Sequence, residues 1–123
     1  MARLHQVARH VEDLDRAVAF YRDVLGLSFI ARFDPPGLAF FDLDGTRLLL
    51  EVSAPPGLLY LGVEDIEARS AELSSRGVDI VAGPELVHRD EDGTFGPAGS
   101  EEWMTFFNDS EGNLTAFVER KPG

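Results

Sequence analysis

The stretch Asp13-Leu14-Asp15-Arg16-Ala17-Val18-Ala19-Phe20-Tyr21-Arg22-Asp23-Val24-Leu25-Gly26 decides how the rest of the chain is read. Leu14, Ala17, Val18, Tyr21, Val24 and Leu25 recur at helical spacing and form one apolar stripe. Asp13 supplies an N-cap, and Gly26 stands where a left-handed C-terminal cap is wanted. On the N-terminal side, residues 4–11 read as a strand with imperfect alternation. On the C-terminal side come three strand-like runs, 27–33, 38–42 and 47–53, separated by turn signals at Pro35-Pro36-Gly37 and Asp44-Gly45.

After Ala54-Pro55-Pro56-Gly57, which reads as a linker, the pattern starts again. Residues 59–63 form a strand run, Asp65 a cap, and Ile66 to Arg76 a helix stopped by Gly77. Residues 78–81, extended or rejoined by 85–89, make the next strand, and 101–107 and 113–119 make two more. The letters repeat as well. Val11-Glu12-Asp13-Leu14-Asp15 is echoed by Val63-Glu64-Asp65-Ile66-Glu67, and Leu38-Ala39-Phe40-Phe41-Asp42 by Met104-Thr105-Phe106-Phe107-Asn108. A strand–helix–three-strand unit of about 55 residues thus occurs twice, near the period at which internal repeats are sought. The expectation is one α+β domain over residues 1–123, made of two βαβββ modules (about 4–53 and 58–120) joined by linker 54–57. Two four-stranded mixed sheets of that kind can form a cup whose inner face suits a ligand.

Composition narrows the partners. The 123 residues carry 22 Asp and Glu against 11 Lys and Arg, a net charge of −11. Such a balance repels phosphate backbones and anionic lipid, so neither nucleic acid nor a membrane surface is expected as a partner. There is no cysteine, which excludes disulfides, thiolate metal sites and a cysteine nucleophile. No apolar run approaches the roughly 20 residues of a spanning helix, and Met1-Ala2-Arg3-Leu4-His5 lacks a signal-peptide core, so a cytoplasmic location is expected. The glycine-containing loop Gly93–Gly99 has neither the lysine nor the following helix of a phosphate cradle.

Three segments carry a resemblance. His5-Gln6-Val7-Ala8 precedes the first helix cap, Phe20-Tyr21-Arg22-Asp23-Val24-Leu25-Gly26-Leu27 follows it, and Phe107-Asn108-Asp109-Ser110-Glu111-Gly112-Asn113-Leu114 lies near the end. Together they resemble the vicinal oxygen chelate superfamily, the glyoxalase/bleomycin resistance/dioxygenase proteins. The resemblance implies paired βαβββ modules, a cupped sheet and a homodimer. In enzymatic members it also implies a divalent metal held by one His, Glu or Gln from each of four strands, with open positions for substrate oxygens.

Carried over position by position, the ligand set is incomplete. Gln6, seven residues before Asp13, matches the first position, and Glu51 matches the second, with Leu49 as the competing register. The third falls on Leu58 and the fourth on Ala116, neither of which can coordinate a cation. Glu119 lies near Ala116 but on the opposite face of a regular strand. No cofactor is therefore expected; if a divalent metal is present, its ligands would be Gln6, Glu51 and His88.

The remaining polar candidates are weighed singly. His10 shares strand parity with Gln6, while His5 faces the other way unless the strand slips by one residue. His88 is either structural or a ligand or base near neutral pH. Trp103, preceded by Glu101 and Glu102, is either an ordinary core aromatic or part of a box for a cationic or planar ligand. The leading expectation is a small-molecule binding protein that sequesters a cationic or aromatic ligand, the acidity favouring a basic one; it resembles antibiotic-sequestering relatives, and its ligand site contains Gln6, His10, Glu51, His88 and Trp103. The alternative is a glyoxalase-, epimerase- or dioxygenase-like enzyme with a rearranged metal site. A non-catalytic dimerisation domain is the third reading.

Overall fold

The computed structural model describes residues 4–123, so the start Met1 to Arg3 lies outside the described residues. The chain divides into two compact units. One runs to Gly57 and takes in the turn Ser110–Asn113; the other comprises Leu58–Asp109 and Leu114–Gly123.

In the first unit, β1 (Gln6–His10) leads into α1 (Leu14–Ala19), followed by β2 (Ser28–Phe33), β3 (Leu38–Leu43) and β4 (Thr46–Glu51). The sheet order is β1-β4-β3-β2, with β1 parallel to β4 and the other pairs antiparallel. Asp13 caps α1 as expected, its carboxylate accepting from the Arg16 amide at 3.1 Å. The helix does not stay α-helical to Leu25. Phe20–Val24 is a single π-helical turn in which the Leu25 amide reaches back to the Phe20 carbonyl at 3.0 Å. The wider turn keeps Tyr21 and Leu25 buried while Val24 is only half-buried, so the straight 3.6-residue stripe overcounts the buried face by one. Gly26, at φ +72°, ends the turn in the left-handed region. Tyr21 meets Phe41 with ring centroids 6.1 Å apart, and Phe41, Ala39, Leu48 and Leu50 are fully buried on that face.

In the second unit the order is β5 (Leu59–Gly62), α2 (Ile66–Ser75), β6 (Ile80–Asp90), β7 (Ser100–Asn108) and β8 (Leu114–Lys121). Its sheet repeats the first, β5-β8-β7-β6 with β5 parallel to β8. Ile66, Ser70 and Leu73 are the buried face of α2, and Ser70 Oγ lies 2.7 Å from Thr105 Oγ1 on β7. The two expected runs 78–81 and 85–89 are one eleven-residue edge strand, interrupted by register shifts. Gly83, at φ +89°, makes the continuation possible: a Cβ there would collide with the Met104 carbonyl. The fold is α+β, two units of the same βαβββ topology. Among the described residues no helix is long and apolar enough to cross a membrane.

Candidate functional site

Strand parity sorts the first unit's side chains. The face against α1 carries Leu48, Leu50, Ala39 and Phe41. The opposite face carries Gln6 and His10 from β1, Arg47, Leu49 and Glu51 from β4, and Leu38 and Phe40 from β3. Phe33, paired with Leu38, joins them from β2 and meets Phe40 edge to face at 5.9 Å.

On this face the Gln6 carboxamide oxygen is buried and has no hydrogen-bond partner among the described residues. Buried polar atoms are nearly all satisfied, so an orphaned acceptor marks a place for a donor. The residue beside Gln6 on β4 is Arg47, whereas Glu51 pairs with His10. Gln6 and Glu51 are therefore four residues apart along a parallel ladder, about 13 Å at 3.3 Å per residue. Donors to one ion must each reach within about 2.0–2.6 Å of it, and a guanidinium beside Gln6 repels a cation. The residues of this unit do not fit a shared metal through Gln6 and Glu51. Among the described residues no group of three His, Asp or Glu could hold one.

His10 is engaged at both ring nitrogens. Nδ1 lies 2.8 Å from the Val52 carbonyl and Nε2 lies 2.9 Å from Glu12 Oε1. Both partners are acceptors, so both nitrogens are protonated in this arrangement. The hydrogen bond to Glu12 is the main cause holding the imidazole pKa above its ordinary value; desolvation opposes it and the Val52 carbonyl adds to it. While these bonds hold, His10 offers no lone pair to a metal or a substrate proton.

In the second unit, His88 and Trp103 are on opposite faces of their sheet. Trp103 pairs with Glu119, whose carboxylate accepts from the Asp65 and Ile66 amides at the start of α2, so Trp103 shares the helix-bearing side. Its indole N–H donates to Glu101 at 3.0 Å, and Lys121 Nζ sits 4.6 Å from its ring centroid. The cation over Trp103 is the chain's own, and that ammonium is held in turn by Glu67. His88 is exposed, opposite Glu102 in register, with Phe95 edge-on at 6.2 Å. Glu102 itself accepts from Arg120 at 2.8 Å. Ala116 shares a face with Tyr60, Phe106, Met104 and Val118, an apolar surface on which Tyr60 stays 56% exposed.

Arg47, Phe40 and Phe33 were not singled out from the sequence. The run Leu48-Leu49-Leu50 hides the alternation that places Arg47 beside Gln6, and only the pairing register reveals it.

A family model described as the Glyoxalase/Bleomycin resistance protein/Dioxygenase superfamily matches residues 3–117. No curated protein matches the chain. Among solved structures, an antibiotic binding protein from a Streptomyces species is similar over 100% of this chain and 98% of that one, with TM-score 0.77 and 22% identity. A lactoylglutathione lyase from Agrobacterium tumefaciens is similar over 97% and 94%, with TM-score 0.71 and 23% identity. A member of the same superfamily from Sphaerobacter thermophilus is similar over 97% and 98%, with TM-score 0.73 and 26% identity. With a family model spanning nearly its whole length and the βαβββ topology present twice, the chain belongs to the glyoxalase/bleomycin resistance protein/dioxygenase superfamily.

Proposed function

We propose that this chain is a small-molecule binding protein that takes a planar aromatic ligand without a metal of the family type. The observation that carries the reading is the Gln6 carboxamide oxygen, buried and without a donor, on a sheet face that also presents the Phe33–Phe40 pair. Phe40 stands two strands across from Gln6 and two residues along the ladder, so a flat ligand of two or three fused rings that bears an N–H or O–H can reach from the ring pair to that oxygen. Phe33 is 52% exposed, which leaves ring surface for it. The antibiotic binding protein of similar fold is consistent with this reading. Lys121 already fills the face of Trp103, so the aromatic half of the cationic-or-aromatic expectation has the better support. A homodimer belongs to the proposal as well, and light scattering tests it.

The test is calorimetric titration of chelator-treated protein with planar aromatic compounds of each charge, alongside Phe33→Ala and Gln6→Ala. Binding weakened about tenfold or more in either variant supports the reading. Failure of every compound to release heat or raise the melting temperature overturns it. The rival, a metal-dependent enzyme of the family, predicts stoichiometric divalent metal in protein purified without chelator.

A further inference from the structure

The chain has twice as many acids as bases, yet Arg47 makes no ion pair among the described residues. Its cross-strand neighbour is Asp42, and that carboxylate accepts instead from the Gly45 amide in the β3–β4 turn, at 3.0 Å. The partner Arg47 does use is an imidazole: one terminal nitrogen lies 3.1 Å from His5 Nε2. The guanidinium carbon lies 5.7 Å from the centroid of Phe40, and the next residue across the parallel ladder is Gln6. A guanidinium has five donors in a fixed fork suited to a planar oxyanion. Here the fork is steadied by an aromatic ring and an imidazole, and most of its donors remain available among the described residues.

We propose that the ligand of this face is an aromatic anion, its ring against the exposed part of the Phe33–Phe40 pair and its carboxylate or phenolate oxygen on the Arg47 guanidinium. The proposal rests on the aromatic-ligand reading above and adds the sign of the ligand's charge. It runs against the overall charge of −11, so it separates local recognition from long-range attraction. At ordinary ionic strength charges beyond about 8–10 Å are largely screened, and a direct guanidinium contact dominates.

Three probes of one shape, each with a ring hydroxyl that can donate to the Gln6 oxygen, decide it: 6-hydroxy-2-naphthoate, its methyl ester and the (6-hydroxy-2-naphthyl)methylammonium ion, each titrated into the intact protein. Naphthoate is expected to bind about tenfold tighter than the ester, with the ammonium weakest. Raising the salt concentration should shrink the gap between naphthoate and ester. Arg47→Gln should bring the naphthoate-to-ester ratio to about one, while Arg47→Lys should keep part of it. Equal binding of all three probes overturns the charge assignment and leaves the aromatic reading standing. Tightest binding by the ammonium overturns it in favour of the Gln6 oxygen as the deciding group, and a ratio that survives in Arg47→Gln overturns it outright. Absence of binding by all three overturns both readings.

Discussion

The two helices begin alike and are held differently. Each has an Asp at its N-cap, Asp13 for α1 and Asp65 for α2, and each has a distant glutamate accepting from its first free amides. At α1 the glutamate is Glu111, its side chain fully buried. It accepts from the Glu12 and Asp13 amides at 2.8 and 2.7 Å, from Arg16 Nε and its terminal nitrogen at 2.7 and 3.0 Å, and from Ser110 Oγ at 2.8 Å. At α2 the glutamate is Glu119, which accepts from the Asp65 and Ile66 amides at 3.2 and 2.9 Å, with no arginine bonded to it among the described residues. One repeat has thus turned a helix cap into a buried, charge-assisted clasp, and the other has kept a plain cap. The clasp also explains why Ser110–Asn113 belongs with the first unit: Asn113 adds a bond from its amide to the His10 carbonyl at 2.7 Å.

Electrostatics follows the same contrast. Burial by itself would raise the Glu111 carboxyl, but Arg16, the Asp13 and Glu12 amides and the Ser110 hydroxyl outweigh it and bring the pKa down from 4.5 to about 2. A carboxyl whose folded pKa is depressed stabilises the fold above its unfolded value and loses that contribution as the pH falls. The clasp should therefore be at full strength above pH 4.5 and fade toward pH 2.

The largest effect expected is from Glu111→Ala, about 3 kcal/mol of unfolding free energy in urea titrations near neutral pH, because the charge-assisted bonds to Arg16 and those from the Glu12 and Asp13 amides leading into α1 are lost together. An equal loss from Glu119→Ala would erase the contrast. Next, acid unfolding of the parent chain should include a loss of about 3 kcal/mol between pH 4.5 and 2, and Glu111→Gln should lack it. Glu119→Ala should cost about 1 kcal/mol, the usual figure for a missing cap, with circular dichroism showing α2 frayed and little else changed. The smallest change is expected from Lys121→Met, which removes the ion pair with Glu67 and the cation over Trp103. Its clearest readout is a shift in the emission of the chain's only tryptophan.

Much of this was legible in the letters. Asp13, Asp65, Gly26 and Gly77 mark helix ends by their own chemistry, and the echo of Val11–Asp15 in Val63–Glu67 exposed the repeat. The site was less legible. Gln6 and Glu51 look like two members of one ligand set until the ladder sets Arg47 beside the first and His10 beside the second. His88 and Trp103 look like neighbours in one pocket until the register shifts of β6 and the pairing of β7 put them on opposite faces.

By itself, then, the sequence determined the element types and the doubled βαβββ order. Those depend on local propensities and on periodicity within one segment. Only the tertiary structure decided that Glu111 clasps α1 across 98 residues, that Lys121 covers Trp103, and that Arg47 stands free of carboxylates beside an orphaned Gln6 oxygen among the described residues. Each of these depends on which residues face each other across strands, and a one-residue slip in register would reverse the faces without changing a letter.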